Sequence, residues 1–179
     1  AASAGADIVK FQTFTASKLL TEDAPKAAYQ IDSASPDDSN YEMLQSLELS
    51  HDDHLTLIED CKKNHIEFLS TAFDIESLIF LLDLGMKRIK IPSGEITNKP
   101  FLEFISQFNI PVIMSTGMAD IQEIAQALAV LRGNKLKPHN ITILQCTSQY
   151  PAKIDDINLR VMQSLRDQFK LQVGYSDHT

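Results

Sequence analysis

The chain has 179 residues, of which 44% are hydrophobic and 22% are charged, and this composition is typical of a folded globular domain. Its formal net charge of −8 repels phosphodiester backbones, so we expect no nucleic acid partner. No apolar run approaches the roughly 20 residues of a membrane helix, and no basic stretch followed by an apolar one marks a secretory signal. We therefore expect no membrane partner and a cytoplasmic location.

Six short apolar runs, each followed by small hydroxyl, thiol or amide residues, recur along the chain. They are rich in branched or aromatic side chains, as strands are, and helix patterns separate them. Strands that alternate with helices pair in parallel, and their carboxyl ends then meet at one edge of the sheet. The predicted strands are Ile8 to Phe14, Ile66 to Ala72, Arg88 to Ile91, Pro111 to Ser115, Ile141 to Cys146 and Leu171 to Tyr175.

Capping residues open most of the helix patterns between these strands. Ser50 followed by Asp53 matches the capping box, in which a hydroxyl and a carboxylate satisfy the first free amides. A last helix pattern reaches from Ile157 to Phe169, and we interpret Asp155 and Asp156 as its cap. The other expected caps are Asp74, Asn98 and Asp120.

The segment from Thr15 to Leu49 is far longer than the usual two to six residues of a βα loop. We interpret it either as a loop that covers a substrate or as a flexible surface insertion.

Strand and helix units of this kind belong either to a doubly wound sheet or to an eight-stranded closed barrel, the TIM (β/α)8 barrel. A doubly wound sheet that binds nucleotides usually carries a glycine-rich phosphate loop, and neither common form of that loop occurs in the sequence. Polar residues follow all the predicted strands instead of one of them, which favours the α/β barrel.

Two lysines lie inside predicted strands, where a charge is costly unless it meets a polar edge or an anion. Lys10 and Lys90 therefore predict a clamp for a phosphate or carboxylate, with a buried ion pair as the alternative, and either could also form a Schiff base. Ser93 and Ser115, each close to a glycine at a strand end, would add neutral donors to an anion pocket.

His178 is the histidine that we single out, because it lies directly after the last predicted strand. An imidazole there could be a metal ligand or a general base. The remaining histidines fall in helix or turn patterns, and we expect them to be solvated: His51, His54, His65 and His139.

Six ordered motifs give the chain a specific resemblance. They are Val9 to Phe14, Phe68 to Asp74, Lys90 to Asn98, Met114 to Met118, Tyr150-Pro151 and Gly174 to Thr179. In this order and spacing the chain resembles the catalytic barrel of the sialic acid synthase family, which includes N-acetylneuraminate, legionaminate and pseudaminate synthases.

The resemblance implies an incomplete (β/α)8 barrel over residues 1–179 that holds about strands two to seven. The first and eighth strands and a C-terminal antifreeze-like domain would be absent, so we expect a fragment that is inactive by itself. The family condenses phosphoenolpyruvate with an N-acetylated mannosamine-type sugar to give a nonulosonic acid and phosphate. Its members use a divalent metal, Mn²⁺ or Mg²⁺, and are commonly homodimers.

The resemblance also implies roles for individual residues. Glu95 matches a carboxylate proposed to help with proton transfer, and His178 matches one metal-binding histidine. Ser148 stands where some members have Asn, in a position that contacts substrate. The residues that match phosphoenolpyruvate contacts are Lys10, Thr71, Lys90, Ser93, Ser115 and Ser176, and those that match sugar contacts are Gln12 and Tyr150.

Two other functions fit the same barrel. A pyruvate aldolase would use Lys90 as a Schiff base. A non-catalytic barrel that binds sugar phosphates would bind ligands without converting them to product.

Overall fold

A computed structural model describes residues 1–25 and 39–179. The α/β prediction with parallel strands is confirmed, and the six predicted strands agree with the observed ones to within one residue at each end. The chain divides into two compact units, Ala1–Met86 and Lys87–Thr179. Among the helices in the described ranges, none combines the length and the apolar character needed to cross a bilayer.

The first unit holds a pair of parallel strands with helices against it. Strand β1 pairs with β2 in a register that sets Ile8 opposite Glu67 and Thr13 opposite Ala72. Helices α3 and α4 pack on β2. In chain order the elements are β1 (Ile8–Thr13), α1 (Ala16–Leu19), α2 (Asn40–Gln45), α3 (His51–Lys63), β2 (Glu67–Ala72) and α4 (Ile75–Asp83).

Helices α1 and α2 both lie in the segment that the sequence predicts as one long loop. The two ends of this segment are joined, because the Ala16 amide donates a hydrogen bond of 2.6 Å to Oε1 of Glu48. The middle of the predicted loop, residues 26–38, lies outside the described residues.

The second unit holds a four-stranded parallel sheet in the order β3-β4-β5-β6. Helix α7 packs on β5 and β6, and α5 packs on α6. Its elements are β3 (Ile89–Ile91), α5 (Lys99–Ile105), β4 (Val112–Ser115), α6 (Ile121–Arg132), β5 (Ile141–Cys146), α7 (Val161–Phe169) and β6 (Gln172–Ser176).

Alternation along the strands separates a core face from a polar face in this sheet. Ile91, Met114 and Ile143 are completely buried on one face, and each such side chain stabilises the fold by about 1.5–3 kcal/mol. Successive strand residues point to opposite faces, so the residues beside them point the other way.

The predicted caps are confirmed for four helices. Ser50 and Asp53 form the capping box of α3. The side chains that accept hydrogen bonds from the first turns of α4, α5 and α6 are Asp74, Asn98 and Asp120.

The cap predicted for the last helix is wrong. Helix α7 begins at Val161 after Arg160, which makes no capping hydrogen bond. Asp155 and Asp156 belong to a separate short 3-10 turn, closed by a bond from the Asp156 amide to the Lys153 carbonyl. The acidic pair is therefore used by a local turn before the chain reaches the helix.

Candidate functional site

One face of the four-stranded sheet collects several of the predicted site residues. The register pairs Lys90 with Ile113 and Ser115 with Leu144, and it pairs Cys146 with Ser176. Because side chains alternate, Lys90, Ser115 and Ser176 all belong to the face opposite the buried Ile and Met residues.

Lys90 is held in place by two neutral oxygen atoms. Its Nζ donates to the Ile91 carbonyl at 2.8 Å and to the Ser115 hydroxyl at 2.7 Å. Lys90 is 8% exposed and Ser115 is 6% exposed. These two contacts orient the ammonium group, and the Ser115 hydroxyl, which accepts from Lys90, can donate its own hydrogen to another group.

Gly117 brings two other predicted residues together. Its φ is 48°, and a Cβ at this position would lie 2.4 Å from Cβ of Ser93 and 2.6 Å from Oγ of Ser148. The Gly117 amide donates to Sγ of Cys146 at 3.2 Å, which fixes the turn to the end of β5. Only glycine fits this approach, because any side chain would occupy the space of the two serines.

His178 is the centre of a second polar cluster. Its ring stacks on Tyr150 with the ring centroids 4.0 Å apart. Nε2 lies 3.0 Å from the Tyr150 hydroxyl and 3.2 Å from the Ser176 hydroxyl. The backbone also holds this segment, because the Ala152 amide donates to the His178 carbonyl at 2.7 Å.

The backbone determines the tautomer of His178. Nδ1 lies 2.5 Å from the carbonyl oxygen of Thr147, which can only accept a hydrogen bond, so Nδ1 carries the proton. In the neutral ring Nε2 then presents its lone pair. A histidine that donates one ring N–H to a carbonyl and offers the other nitrogen is the usual arrangement of a metal ligand.

A divalent metal fits this nitrogen as one ligand. Within residues 1–25 and 39–179 there is no group of three or more His, Cys, Asp and Glu side chains that could hold a metal ion. His178 is therefore a suitable donor, and further ligands have to come from other groups.

Glu95 lies in a short 3-10 turn, Ser93–Glu95, that directly follows the end of β3. The carboxylate is half-buried, and its Oε2 accepts a hydrogen bond of 2.6 Å from Nδ2 of Asn98. Asn98 also caps α5, so the start of this helix orients the Glu95 side chain.

In the first unit, Gln12 and Thr71 are direct partners across β1 and β2. Lys10 lies on the same face, since it is two residues before Gln12 on the same strand. Thr71 is 2% exposed, and its hydroxyl has no hydrogen-bond partner among the described residues. A buried hydroxyl without a partner costs about 1–3 kcal/mol, so such groups commonly mark a ligand or water site.

Lys10 makes no ion pair with an acidic group in the described part of the chain. Lys10 is an exposed residue overall, but protein atoms near its ammonium group partly desolvate it, and this lowers the pKa of Lys10 from the usual 10.5. An anionic ligand beside Lys10 would offset that cost, because it favours the charged form.

His54 is a residue whose environment the sequence prediction misjudged. It is 1% exposed instead of solvated. Its Nε2 lies 2.8 Å from Oγ1 of Thr13, which in turn lies 2.7 Å from Oγ of Ser70. The signal was present, because His54 shares a helical spacing with Leu57, Ile58 and Cys61 on α3.

Comparisons with known proteins agree with the motifs. The model of the NeuB family matches residues 1–179, the whole chain. The chain is 52% identical over 179 residues to an N,N'-diacetyllegionaminic acid synthase of Campylobacter jejuni, covering 100% of this chain and 54% of that protein. A protein of the same name from Legionella pneumophila is 50% identical over 182 residues, covering 100% of this chain and 51% of that protein. The chain thus spans about half the length of these curated relatives.

Solved structures show the same relationship. The N-acetylneuraminic acid synthetase of Leptospira borgpetersenii, solved in complex with citrate, superposes with a TM-score of 0.85 at 29% identity, covering 99% of this chain and 56% of that one. The spore coat polysaccharide biosynthesis protein SpsE of Bacillus subtilis gives a TM-score of 0.80 at 31% identity, covering 99% and 46%. The predicted family is confirmed: the chain belongs to the NeuB family, together with sialic, legionaminic and pseudaminic acid synthases.

Proposed function

We propose that the protein to which this chain belongs condenses phosphoenolpyruvate with an N-acetylated amino sugar to give a nonulosonic acid and phosphate. The observation that carries this proposal is the polar face of the second unit, where buried Lys90 and Ser115 are bonded to each other. The names of the relatives support the same class of product.

The chemistry of phosphoenolpyruvate suits these residues. The molecule carries a phosphate and a carboxylate, and it therefore needs cationic partners together with neutral donors. Lys90 supplies a charge that its contacts with Ile91 and Ser115 hold in position. Ser93 and Ser176 add hydroxyl groups at the ends of β3 and β6.

The first unit, considered by itself, also carries groups that suit these substrates. Lys10 has a desolvated ammonium group, and an anion would stabilise its charged form. The Thr71 hydroxyl is buried without a partner in the described residues, and a phosphate or carboxylate oxygen would satisfy it. Gln12, opposite Thr71, offers an amide to a sugar hydroxyl or acetamido group.

His178 would hold the divalent metal, Mn²⁺ or Mg²⁺, through Nε2. When bound, such a metal acts as a Lewis acid that polarises the sugar's aldehyde. Tyr150, whose hydroxyl lies beside Nε2, and Ser148 would contact the sugar near this point. Glu95, oriented by Asn98, would pass a proton when water adds to the carbon that bears the phosphate.

We further propose that the sugar is 2,4-diacetamido-substituted. Two relatives at 52% and 50% identity are named for a product with two N-acetyl groups, N,N'-diacetyllegionaminic acid, whereas a relative named for a product with one, an N-acetylneuraminate-9-phosphate synthase, is 32% identical. The proposal of a diacetamido sugar rests on this difference in overall identity.

The test is phosphate release by the full-length gene product. The protein is incubated with phosphoenolpyruvate, Mn²⁺ and, in separate samples, N-acetylmannosamine and 2,4-diacetamido sugars of the manno, gulo and altro series. We expect phosphate release that depends on the sugar and is fastest with one diacetamido sugar. A metal-replete protein that is inactive with every such sugar would contradict the proposal.

A pyruvate aldolase is the second candidate, because Lys90 is a buried amine inside a strand. Incubation with pyruvate and borohydride separates the two functions. A covalent adduct that disappears in Lys90→Ala would support the aldolase, whereas no adduct together with phosphate release supports the synthase.

A further inference from the structure

A chain of buried hydrogen bonds joins three elements of the first unit on the side of the β1–β2 pair that faces α3. It runs from the carbonyl of Ser50 to Nδ1 of His54 at 2.7 Å, from Nε2 to the Thr13 hydroxyl at 2.8 Å, and from there to the Ser70 hydroxyl at 2.7 Å. His54 is 1% exposed, Ser70 is 0% exposed and Thr13 is 6% exposed. We call this set of side chains the His54 network: His54, Thr13 and Ser70.

Each hydrogen atom in the His54 network has a definite place. The Ser50 carbonyl can only accept, so Nδ1 of the neutral imidazole carries its proton and Nε2 accepts. Thr13 then donates its single hydroxyl hydrogen to Nε2, and its oxygen accepts from Ser70. The network is therefore directional, and a residue that cannot both donate and accept at position 13 would interrupt it.

Two members of the network, Thr13 and Ser70, are adjacent in sequence to residues on the opposite face. Thr13 follows Gln12 on β1, and Ser70 precedes Thr71 on β2. Gln12 and Thr71 are themselves partners in the strand register. Because neighbouring strand residues point to opposite faces, a shift of either strand on the network side moves Gln12 or Thr71 on the other.

The buried hydroxyl of Thr71 depends on the exact position of β2. Its Oγ1 is buried without a partner in the described ranges, so a small movement of β2 would change which group a ligand could bond there. The bond between Ser70 and Thr13 opposes such a movement, since it ties β2 to β1 one residue away, and His54 ties both to the start of α3.

We propose that the His54 network positions Gln12 and Thr71 for ligand binding, so that His54, Thr13 and Ser70 are positioning residues that never touch the ligand. The identity of the ligands, phosphoenolpyruvate and the sugar, rests on the proposed function. The claim that the network holds Gln12 and Thr71 in position does not depend on it.

Four variants of the full-length gene product test this inference. Thr13→Val keeps the shape of the side chain and interrupts the network, and Thr13→Ser keeps the hydroxyl. Ser70→Ala removes only the last link. Thr56→Val is the matched control, because Thr56 is an exposed threonine of α3 whose hydroxyl bonds the carbonyl of Asp52.

The first readout separates KM from kcat at a temperature well below the melting temperature of each variant. We expect Thr13→Val to raise KM for phosphoenolpyruvate and for the sugar roughly tenfold with a smaller change in kcat, because ground-state positioning is lost. Thr13→Ser should restore both KM values to within about twofold, and Thr56→Val should leave them unchanged. Unchanged KM values in Thr13→Val, with only a lower melting temperature, would overturn the inference.

If Thr13→Val does not fold, the KM values of Ser70→Ala are compared with those of the unchanged protein instead. This variant keeps the bond between His54 and Thr13 and should raise the same two KM values. KM values equal to those of the unchanged protein would then overturn the inference.

Hydrogen exchange of backbone amides separates this inference from the proposed function. If the unchanged protein turns over no substrate, the proposed function fails, and exchange alone tests the network. We expect faster exchange at Gln12 and Thr71 in Thr13→Val and protection in Thr13→Ser. Equal exchange in both variants would overturn the positioning role.

Discussion

Gly117 provides the sharpest test of the polar face, because one added methyl group reaches two predicted site residues at once. In Gly117→Ala, the new Cβ would lie 2.4 Å from Cβ and 2.5 Å from Oγ of Ser93, and 2.6 Å from Oγ of Ser148. The hydroxyl of Ser148 can rotate away. Cβ of Ser93 cannot, because it is bonded directly to the backbone, so the turn after β3 has to move.

The cost of this substitution has two parts. Alanine at a positive φ costs about 1–2 kcal/mol, and crowding in a packed site costs about 1–3 kcal/mol more. Gly85→Ala isolates the first part, because Gly85 has a φ of 89° and a Cβ there meets nothing within 4 Å. The difference between the two variants therefore measures the crowding alone.

The assays are urea unfolding and phosphate release. We expect Gly117→Ala to lose about 2–5 kcal/mol of unfolding free energy and Gly85→Ala about 1–2 kcal/mol. We also expect kcat/KM to fall roughly ten- to hundredfold in Gly117→Ala only, because Ser93 is displaced. Adding Ser93→Gly should recover part of the lost stability, because it removes the atoms that clash.

Equal losses in Gly117→Ala and Gly85→Ala, in both unfolding free energy and kcat/KM, would refute this reasoning. They would mean that backbone strain alone acts at position 117 and that the turn does not hold Ser93 against Ser148.

Three further predictions concern other parts of the site. The affinity for phosphoenolpyruvate should fall as the pH rises through the pKa of Lys10, which partial desolvation lowers below 10.5, because the ammonium charge is then lost. Lys10→Arg should remove this dependence in calorimetric titrations. His178→Ala should weaken Mn²⁺ binding by at least roughly tenfold, measured by calorimetry, whereas His139→Ala, at an exposed position, should not. Thr13→Val should lower the unfolding free energy by about 1–3 kcal/mol, because it leaves Nε2 of buried His54 and the hydroxyl of buried Ser70 without a partner.

Each of these predictions has a result that would contradict it. A pH profile with the same slope in Lys10→Arg would mean that another group controls binding. Equal Mn²⁺ affinity in His178→Ala and the unchanged protein would remove His178 from the metal site. An unfolding free energy of Thr13→Val equal to that of the unchanged protein would show that water replaces the lost hydrogen bonds.

Local features were predictable from the sequence because they depend on residues that are close along the chain. The capping box of Ser50 and Asp53 needs a hydroxyl and a carboxylate three residues apart, and both bonds are present. The ends of β3 and β4, shortly before Gly94 and Gly117, were predictable because an apolar run gives way there to serine and glycine within a few residues. Asp155 and Asp156 gave a wrong prediction, because a polar pair can close a short turn as well as cap a helix.

Contacts between distant residues were not predictable in this way. The approach of Gly117 to Ser93 and Ser148 joins the ends of different strands, and no local pattern indicates it. The environment of His54 depends on Thr13, which is separated from it by 41 residues. The helical spacing of His54 with apolar residues indicated that it lies on the buried face of α3. The prediction was wrong because histidine was treated as a polar residue that remains in solvent.

Binding of phosphoenolpyruvate to Lys90 is the central claim, and calorimetric titration of the full-length gene product tests it most directly. Lys87→Ala is the matched control, because Lys87 is an exposed lysine before β3. We expect Lys90→Ala to bind phosphoenolpyruvate roughly ten- to hundredfold more weakly, as the loss of a charge-assisted hydrogen bond implies, and Lys87→Ala to bind it as the unchanged protein does. Equal affinity in all three proteins would contradict the account.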